Sequence, residues 1–546
     1  MSWQKEVIAY QIYPRSFKDS NGDGIGDLRG IIEKLDYLKD LGINLIWISP
    51  IYKSPNDDNG YDISDYQEIM SEFGTMEDFD ELLKEAHKRY IKVIMDLVVN
   101  HTSDQHPWFL EAKSSKDSDK RDWYIWKDGK DGKEPNNWES IFGGSAWKYD
   151  EKTDQYFLHL FSDKMPDLNW ENEELRSKVY EMINWWFEKG IDGFRVDAIS
   201  HIKKCDYEDM DNPEELAYVP SFEKHMKQPG ICELLDDINK NTFAKHDCFT
   251  IAEASGLTVD DLSDWTGKEN GKFSMAFQFE HNGLWKMDGK EEVDLVQFKK
   301  ILTKWQKQMA KDGWAALFLE NHDVIRSTSK LGDTEVYWKE SAKALALMYF
   351  MQMGTPFIYQ GQELGMTNVD FTDINDFDDR PTIFNYNERI KAGMPKEESL
   401  KIAKDTSRDN SRSPMQWNSN LNAGFTTGTP WLKVNGNYKY INAEEQIKDK
   451  DSVLNFYKKM IVLRREFKTL VYGEYKLLLE DDPYIYAYTR EGNNEKFLIV
   501  TNISKNTVEL NLNLKLTEEN ILIKNYEEIK NHSILRPYEA RMYKLR

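Results

Sequence analysis

Eight short apolar segments, rich in β-branched and aromatic residues, alternate along the chain with amphipathic helical stretches. Segments of this length between turn residues predict strands, and their alternation with helices predicts a parallel sheet. The eight segments span residues 7–15, 44–50, 92–100, 192–199, 248–253, 273–280, 314–321 and 356–363. Eight such units predict a (β/α)8 barrel, a fold of the α/β class. An open doubly wound sheet is the alternative, but the sequence has no glycine-rich phosphate turn after a strand.

Two insertions and a terminal change of pattern divide the 546 residues into domains. The connection 102–172 follows the third predicted strand, is rich in Trp, Gly, Asn and Asp, and is long enough to predict a small domain. A second irregular insertion covers about 365–430, after the eighth strand. The barrel itself is expected from 1–101 and 173–470. In 471–546, short β-type segments between turn residues predict an antiparallel β-sandwich domain.

Charge and hydropathy narrow the classes of function. The net charge of −23, from 72 Lys and Arg against 95 Asp and Glu, disfavours nucleic acid and anionic membrane as partners. No window of about 18 apolar residues predicts a transmembrane helix, and the start of the sequence lacks a signal-peptide pattern. Cys205, Cys232 and Cys248 have no metal-binding spacing, and we interpret them as free thiols of a cytoplasmic protein. The sequence does not indicate an oligomeric state.

The fourth predicted strand ends in an Arg-x-Asp pair. Arg195 and Asp197 stand two residues apart, so on a strand their side chains share one face. A guanidinium beside a buried carboxylate should keep that carboxylate ionised, as a nucleophile at a sugar carbon requires. A purely structural ion pair is the alternative, and this pair alone does not exclude it.

Two further carboxylates are predicted at the same mouth of the barrel. Glu253 ends the fifth strand and Asp323 follows the seventh. Repulsion among the three should raise the pKa of one, and Glu253, which lacks an adjacent arginine, is expected to carry the proton. A nucleophile and a protonated acid about 5–5.5 Å apart are the arrangement of a retaining glycosidase. Asp323 would then hold sugar hydroxyls and stabilise the positive transition state.

Two histidines, His101 and His322, also follow strand ends and could donate hydrogen bonds to sugar hydroxyls. A structural role is an equal alternative for each. Metal ligation by them is not expected, because neither has a histidine or cysteine partner at a metal-binding spacing.

Four of these segments together resemble the conserved regions of the α-amylase superfamily, glycoside hydrolase family 13. DLVVNH, GFRVDAISH, IAEASG and FLENHD stand in that family's order, and MPDLN (165–169) resembles its fifth region. Within the family, WQKEVIAYQIYPRSFKDSNGDGIGDLRG, SPNDDNGYDISDY and RDNSRSPMQW resemble the oligo-1,6-glucosidase and α-glucosidase group. The resemblance covers nearly the whole chain and implies a barrel, an inserted domain and a β-sandwich domain.

The resemblance also implies roles for individual residues. Asp197 matches the nucleophile, Glu253 the acid/base and Asp323 the third carboxylate, which stabilises the transition state. The residues that match substrate-binding positions are Asp58, Tyr61, His101, Phe142, Arg195, Ala198, His322 and Arg412.

The matched positions predict a closed, single-sugar pocket. Tyr61 would stack on the sugar, and Arg412 would pair with Asp58 to close the far end. An enzyme with such a pocket would be exo-acting, releasing one glucose at a time from the non-reducing end of a small oligosaccharide.

Ala198, directly after the matched nucleophile, is expected to face the leaving sugar. In similar enzymes valine here accompanies α-1,6 cleavage, and alanine or threonine accompanies α-1,4 cleavage, so α-1,4 links are predicted to be preferred. Departures from the group's usual pattern in AEA, MPDLN and LENHD bear on this fine specificity. The last of them adds Glu320, which is expected near the site.

Other members of the same fold are alternatives. An oligo-1,6-glucosidase, a sucrose isomerase or a trehalose-6-phosphate hydrolase would keep the same three carboxylates. The arginine–aspartate loop of sucrose isomerases is not found in 380–393, whereas a basic subsite for a phosphosugar is not excluded. The alternative from another class, a non-catalytic transporter subunit, is disfavoured because such proteins have a membrane anchor and lose the carboxylates.

The loop DSNGDGIGD (19–27) predicts a cation site. Its oxygen-bearing side chains alternate, as in loops that bind a hard cation such as Ca²⁺, and Gly24 suits a tight turn. The twelfth position is Gly30, so this is not an EF-hand. The resemblance implies a structural Ca²⁺ held by Asp19, Asn21, Asp23, the carbonyl of Ile25, and Asp27. A metal-free polar turn is the alternative, and no organic cofactor is expected.

Overall fold

The computed structural model describes residues 3–284 and 294–546. Its largest sheet has eight parallel strands, each shorter than the apolar segment that predicted it: β1 (Ala9–Ile12), β2 (Leu45–Ile48), β3 (Lys92–Val98), β4 (Gly193–Asp197), β5 (Phe249–Glu253), β6 (Met275–Phe277), β7 (Ala316–Leu317) and β8 (Thr355–Tyr359). Their order is β6-β5-β4-β3-β2-β1-β8-β7. A parallel bridge between Ala276 and Ala315 joins the two ends. The predicted barrel is confirmed.

Each strand is followed by at least one helix, and one helix from each connection packs outside the barrel, which buries both faces of the sheet. These helices are α1 (Leu28–Leu41), α2 (Met76–Lys88), α3 (Glu173–Lys189), α4 (Ile231–Asn241), α5 (Leu262–Thr266), α6 (Leu295–Lys311), α7 (Trp338–Phe350) and α8 (Val453–Glu466). Local sequence sets their ends. Asp27, for example, accepts from the N–H of Gly30 to begin α1, and Gly42 ends that helix at a φ of 100°.

The long connection after β3 folds on its own small core of Trp138, Trp147, Leu158 and Leu160. It contains helix Pro107–Ala112, the strands Trp126–Lys127, Trp147–Asp150 and Gln155–Leu158, which form a three-stranded antiparallel sheet, and strand Trp138–Glu139. The chain after β8 contains helices Arg380–Lys391, Lys396–Thr406, Asp409–Arg412 and Ala443–Lys448, separated by irregular segments. Both segments follow strand C-termini and therefore lie at the mouth where barrel enzymes place their sites.

The C-terminal region is an antiparallel β domain, as predicted. Its main sheet contains β9 (Glu474–Leu478), β10 (Ile485–Gly492), β11 (Glu495–Asn502), β12 (Ile521–Lys524) and β13 (Ala540–Lys544). A second, two-stranded sheet pairs Val508–Glu509 with Ile534–Leu535. The three cysteines are free thiols. Within the described part of the chain, no helix combines the length and apolar character needed to cross a membrane.

Two buried arginines lie where this domain meets the barrel. Arg464 on α8 donates to the carbonyls of Phe350, Gln352, Gly354 and Leu470. Arg490 on β10 donates to the carbonyls of Met351, Leu470, Val471 and Gly473. Both guanidiniums are at most 2 % exposed. Barrel carbonyls of Met351 and Leu470 therefore help to solvate the charge of Arg490, and the Leu470 carbonyl is shared with Arg464. No carboxylate pairs with either arginine among the described ion pairs.

A buried carboxyl in contact with β1 and α1 predicts that the stability of the protein depends on pH. Glu363 is fully buried, and its Oε1 accepts from the hydroxyls of Tyr10 on β1 (2.8 Å) and Tyr37 on α1 (2.7 Å). Burial raises the pKa of Glu363 from 4.5 to about 7. The folded state therefore binds this proton more tightly than the unfolded state, so its stabilising contribution is lost as the pH rises through about 7.

We expect the wild-type free energy of unfolding to fall by roughly 3 kcal/mol between about pH 4.5 and pH 7 through this group, because in that range only the folded state holds the proton. Glu363→Gln keeps an oxygen acceptor for the two tyrosines and cannot ionise, so this part of the pH dependence should disappear. Urea unfolding of both proteins across this pH range checks the prediction. Parallel curves for wild type and variant would contradict it.

Candidate active site

One guanidinium gathers three carboxylates at the end of β4. Arg195, 2 % exposed, contacts Asp96 and Asp197 through Nη1, the latter at 2.6 Å. Its Nη2 lies 2.8 Å from Oε2 of Glu253 at the end of β5. Strand alternation places Arg195 and Asp197 on the same face, as predicted, and the parallel pairing of β4 with β3 and β5 brings in the other two.

The structure reverses the expected effect on Asp197. Burial raises the pKa of Asp197 well above its usual value, and the Glu253 and Asp96 carboxylates raise it further, whereas Arg195 lowers it. The sequence-based expectation assigned the guanidinium to Asp197 alone. In fact the guanidinium is divided among three carboxylates, so its charge does not compensate the burial of each. Asp197 in the unliganded protein therefore favours its protonated form.

The backbone after Asp197 also contributes to the site. Ala198 has a φ of 44° and a ψ of 29°, the left-handed region that non-glycine residues rarely adopt. This conformation turns its N–H toward Glu253, whose Oε2 it reaches at 2.9 Å. The carboxylate of Glu253 is thus fixed by two donors, Arg195 and the backbone of Ala198.

Asp323 lies in a different electrostatic environment. Its carboxylate is 3.0 Å from Arg408, 3.2 Å from Arg412 and 3.1 Å from Nε2 of His322. Burial alone would raise the pKa of Asp323, but the neighbouring positive groups outweigh it and lower the pKa well below the usual range. Burial lowers the pKa of His322 to about 3, so this ring is neutral near pH 7, and the two arginines keep Asp323 ionised.

The predicted pairing of Arg412 with Asp58 is corrected by the structure. Asp58 is buried, and the guanidinium in ion-pair range is that of Arg408, at 3.5 Å. Arg412 reaches the His322 carbonyl and Asp323 instead. Arg408 also contacts Asp379 at 2.6 Å. The sequence did carry a signal for Arg408, since it precedes Arg412 by four residues in RDNSR and so faces the same side of one helical turn.

Aromatic groups complete the wall. The Tyr61 ring stacks on His322 with centroids 5.3 Å apart and planes 2° apart. The Phe142 ring, supplied by the insertion after β3, lies 5.4 Å from the guanidinium of Arg408. A cavity of about 590 Å³ borders Phe142, Asp323 and Arg408 and continues along the helices after β8. Both insertions therefore shape the space in front of the barrel.

The two predicted histidines differ. His101 is 1 % exposed, its Nε2 has no partner among the described residues, and burial lowers its pKa to about 4. A neutral ring with an unpartnered nitrogen is suited to a ligand hydroxyl. Both nitrogens of His322, by contrast, already have protein partners, which are Gln11 at Nδ1 and Tyr61 and Asp323 at Nε2.

Glu320 does not add a carboxylate to the site, contrary to the expectation from LENHD. It is 2 % exposed, pairs with Arg326 at 3.1 Å, and accepts from the backbone and hydroxyl of Ser327. Arg326 compensates the charge of Glu320, and Ser327 donates to the same carboxylate. Glu320 is therefore a structural group that holds the turn after β7.

The 19–27 loop is held by its own hydrogen bonds. Asp19 accepts from the N–H groups of Asn21, Gly22 and Gly24, and Asp27 accepts from Ser20. Oxygen-only donors of this kind suit Ca²⁺ chemically. However, within residues 3–284 and 294–546 no three acidic, histidine or cysteine side chains are grouped so that they could hold a metal ion. The calcium site stays a prediction.

Comparison with known proteins places this geometry in a family. Residues 11–473 match the alpha amylase catalytic domain, and residues 485–541 match the alpha-amylase SusG C-terminal domain. The chain is 56% identical to the probable oligo-1,6-glucosidase 3 of Bacillus subtilis strain 168, with 99% of each chain covered. It is 51% identical to the oligo-1,6-glucosidase of Parageobacillus thermoglucosidasius, over 100% of this chain and 99% of that one. The crystal structure of Bacillus licheniformis trehalose-6-phosphate hydrolase is 48% identical, with a TM-score of 0.93 and complete coverage of both chains.

Proposed function

The chain belongs to the α-amylase family of glycoside hydrolases, and from this premise we propose that it is an exo-acting α-glucosidase of short oligosaccharides. The observation that carries the proposal is the Asp58–Arg408 contact beside Asp323, which would close the pocket behind one glucose. A closed pocket admits the non-reducing end of a chain and excludes the middle of a polymer. The test is product analysis with maltotetraose and soluble starch. We expect glucose as the first product and little starch cleavage, and internal cleavage at comparable rates would overturn the proposal.

The family's two-step mechanism retains the configuration at the anomeric carbon, and the site residues fit its roles. We assign Asp197 as the nucleophile that forms the glucosyl ester and Glu253 as the acid that protonates the leaving oxygen. Glu253 would then take a proton from water, whose oxygen attacks the ester carbon and releases Asp197. Asp323, ionised by its two arginines, is suited to hold sugar hydroxyls and the developing positive charge.

Glu253 must carry a proton, and Asp197 must be ionised, when the glycosidic bond breaks. A bound glycoside supports this placement, because its bridging oxygen can accept a hydrogen bond from protonated Glu253. Positive charge developing at the anomeric carbon meanwhile favours an ionised Asp197. Substrate binding would therefore favour the protonation states that make Glu253 the acid and Asp197 the nucleophile.

The preferred bond is a finer proposal, and we propose that α-1,4 links are cleaved faster than α-1,6 links. It rests on the small side chain of Ala198, which leaves space beside the acid, whereas the names of the relatives favour α-1,6 cleavage. Comparing kcat/KM for maltose and isomaltose decides between them. Including sucrose, trehalose and trehalose-6-phosphate also tests the isomerase and phosphosugar alternatives.

Ala198→Val should raise the isomaltose-to-maltose ratio of kcat/KM about tenfold, the size of effect that a few added methyl groups have in a pocket. Total activity should also fall, because a β-branched residue is strained at a φ of 44° and would displace the N–H that holds Glu253. Ala198→Gly is the matched control, since it accepts this φ without adding volume and should leave the ratio unchanged. An isomaltose preference already present in the wild type would contradict the proposed α-1,4 preference.

We also propose a structural Ca²⁺ in the 19–27 loop, supported by its oxygen-only donor set. Added Ca²⁺ should raise the Tm of chelator-treated protein, and Asp23→Ala should abolish the shift. Asp23 is the suited position because it is exposed and bonds only within the loop, so its loss should not disturb the barrel. Identical unfolding curves with chelator and with Ca²⁺ would overturn this proposal.

A further inference from the structure

The ring of His322 is held from behind by a glutamine of β1. Gln11 is 1 % exposed, and its Nε2 lies 2.8 Å from Nδ1 of His322 and 3.2 Å from Oγ of Ser49. On its other side the ring presents Nε2 to Tyr61 at 2.7 Å and to Asp323 at 3.1 Å. Every polar atom of this ring thus faces a specific partner, and the two nitrogens face partners of different kinds.

These partners fix where the single ring proton lies. Asp323 is ionised and can only accept, so a bare Nε2 lone pair 3.1 Å from it would be repelled. The proton therefore belongs on Nε2, which leaves Nδ1 as an acceptor. An amide nitrogen can only donate, so Gln11 at Nδ1 satisfies the same tautomer from the opposite side.

The same proton order continues beyond His322. With the ring proton on Nε2, the Tyr61 hydroxyl oxygen accepts a hydrogen bond from His322. The same hydroxyl donates to the Asp96 carboxylate, 3.1 Å away. Asp96 in turn pairs with Arg195, the guanidinium shared by Asp197 and Glu253. Gln11 thus stands at the start of a chain of donors that ends at the two groups expected to do the chemistry.

We infer that Gln11 is a positioning residue that sets the tautomer of His322, so that the proton lies on Nε2, which donates to the Tyr61 hydroxyl and places no lone pair beside Asp323. This inference rests on the proposed role of Asp323 in gripping the sugar. Gln11 touches no substrate in this assignment. It acts by making the ring a donor toward Tyr61, so that Asp323, kept ionised by its two arginines, faces an N–H and not a lone pair.

The test combines spectroscopy of the ring with kinetics. In the full-length wild type, ¹⁵N spectra of histidine-labelled protein should show His322 neutral with its proton on Nε2, assigned by comparison with His322→Asn. Gln11→Met removes the donor without removing volume, and should give a mixed tautomer and a kcat/KM lower by about 10–100-fold. Gln11→Glu replaces the donor by an acceptor, so His322 should bind a second proton and the kcat/KM profile should gain an ionisation near neutral pH.

Controls separate this role from stability and from the proposed function. Gln306→Met removes another buried glutamine, which bonds the backbone of Met353, and should leave the His322 spectrum and the pH profile unchanged. A wild-type spectrum with the proton on Nδ1 would overturn the inference without any variant. An active Asp323→Asn would overturn the role of Asp323 instead, and the ring spectrum still decides the assignment of Gln11.

Discussion

Asp197→Asn should lower kcat by about 10⁴-fold or more on maltose while the protein stays folded. The amide cannot form the glucosyl ester, so the first step of the two-step route is lost. Stability should not fall, because Arg195 keeps Asp96 and Glu253 as partners and a costly buried carboxyl is removed. Kinetics and thermal unfolding of the variant measure both effects.

The matched control is Glu363→Gln, which converts another buried carboxyl of the barrel to an amide at a place without contact to Arg195. It should leave kcat near the wild-type value. An Asp197→Asn variant that retains more than a few per cent of activity would remove Asp197 from the nucleophile's role. The first glucose formed by the wild type should be the α-anomer, as two inversions at one carbon require.

Glu253→Gln is the second change with a large expected effect, about 10²–10⁴-fold on maltose. The loss should be much smaller with 2,4-dinitrophenyl α-glucoside, since that leaving group departs without protonation. The glucosyl ester should then accumulate, because no base remains to activate water. A burst of dinitrophenol followed by slow turnover is the expected record.

Azide distinguishes the two carboxyls by the product it forms. In Glu253→Gln, azide needs no base and attacks the ester carbon from the α face, which gives α-glucosyl azide. In Asp197→Asn, azide takes the nucleophile's place on the β face while Glu253 still acts as acid, which gives β-glucosyl azide. The reverse pattern would exchange the two assignments. This matters because burial and shared contacts raise the pKa of Asp197, so proton position in the free protein does not assign the roles.

Local sequence predicted those features that depend on short-range periodicity. The eight strands were visible as short apolar runs, and the common face of Arg195 and Asp197 followed from their spacing of two on β4. The resemblance of four motifs to one family then identified the carboxylates that the barrel brings to one mouth.

Contacts between segments far apart in the chain were harder to predict from the sequence. Arg408 meets Asp58 across 350 residues of chain, and only the fold decides that it, not Arg412, is in range. The pKa of Asp197 depends on how one guanidinium is shared among three carboxylates, which a motif does not specify. Glu320 was misassigned because its partner Arg326 lies past the strand end, where alternation no longer applies.

The two arginines between barrel and C-terminal domain set a limit on how this chain can be divided or recombined. Arg490 would lose the carbonyls of Met351 and Leu470 if the barrel were exchanged, and the Met351 carbonyl would lose its donor if the terminal domain were exchanged. A chimera with a foreign terminal domain must therefore supply both the cation and the carbonyls that surround it. The topology changes near residue 470, but buried hydrogen bonds cross this boundary, so we expect the two domains to be exchangeable only together or with compensating substitutions.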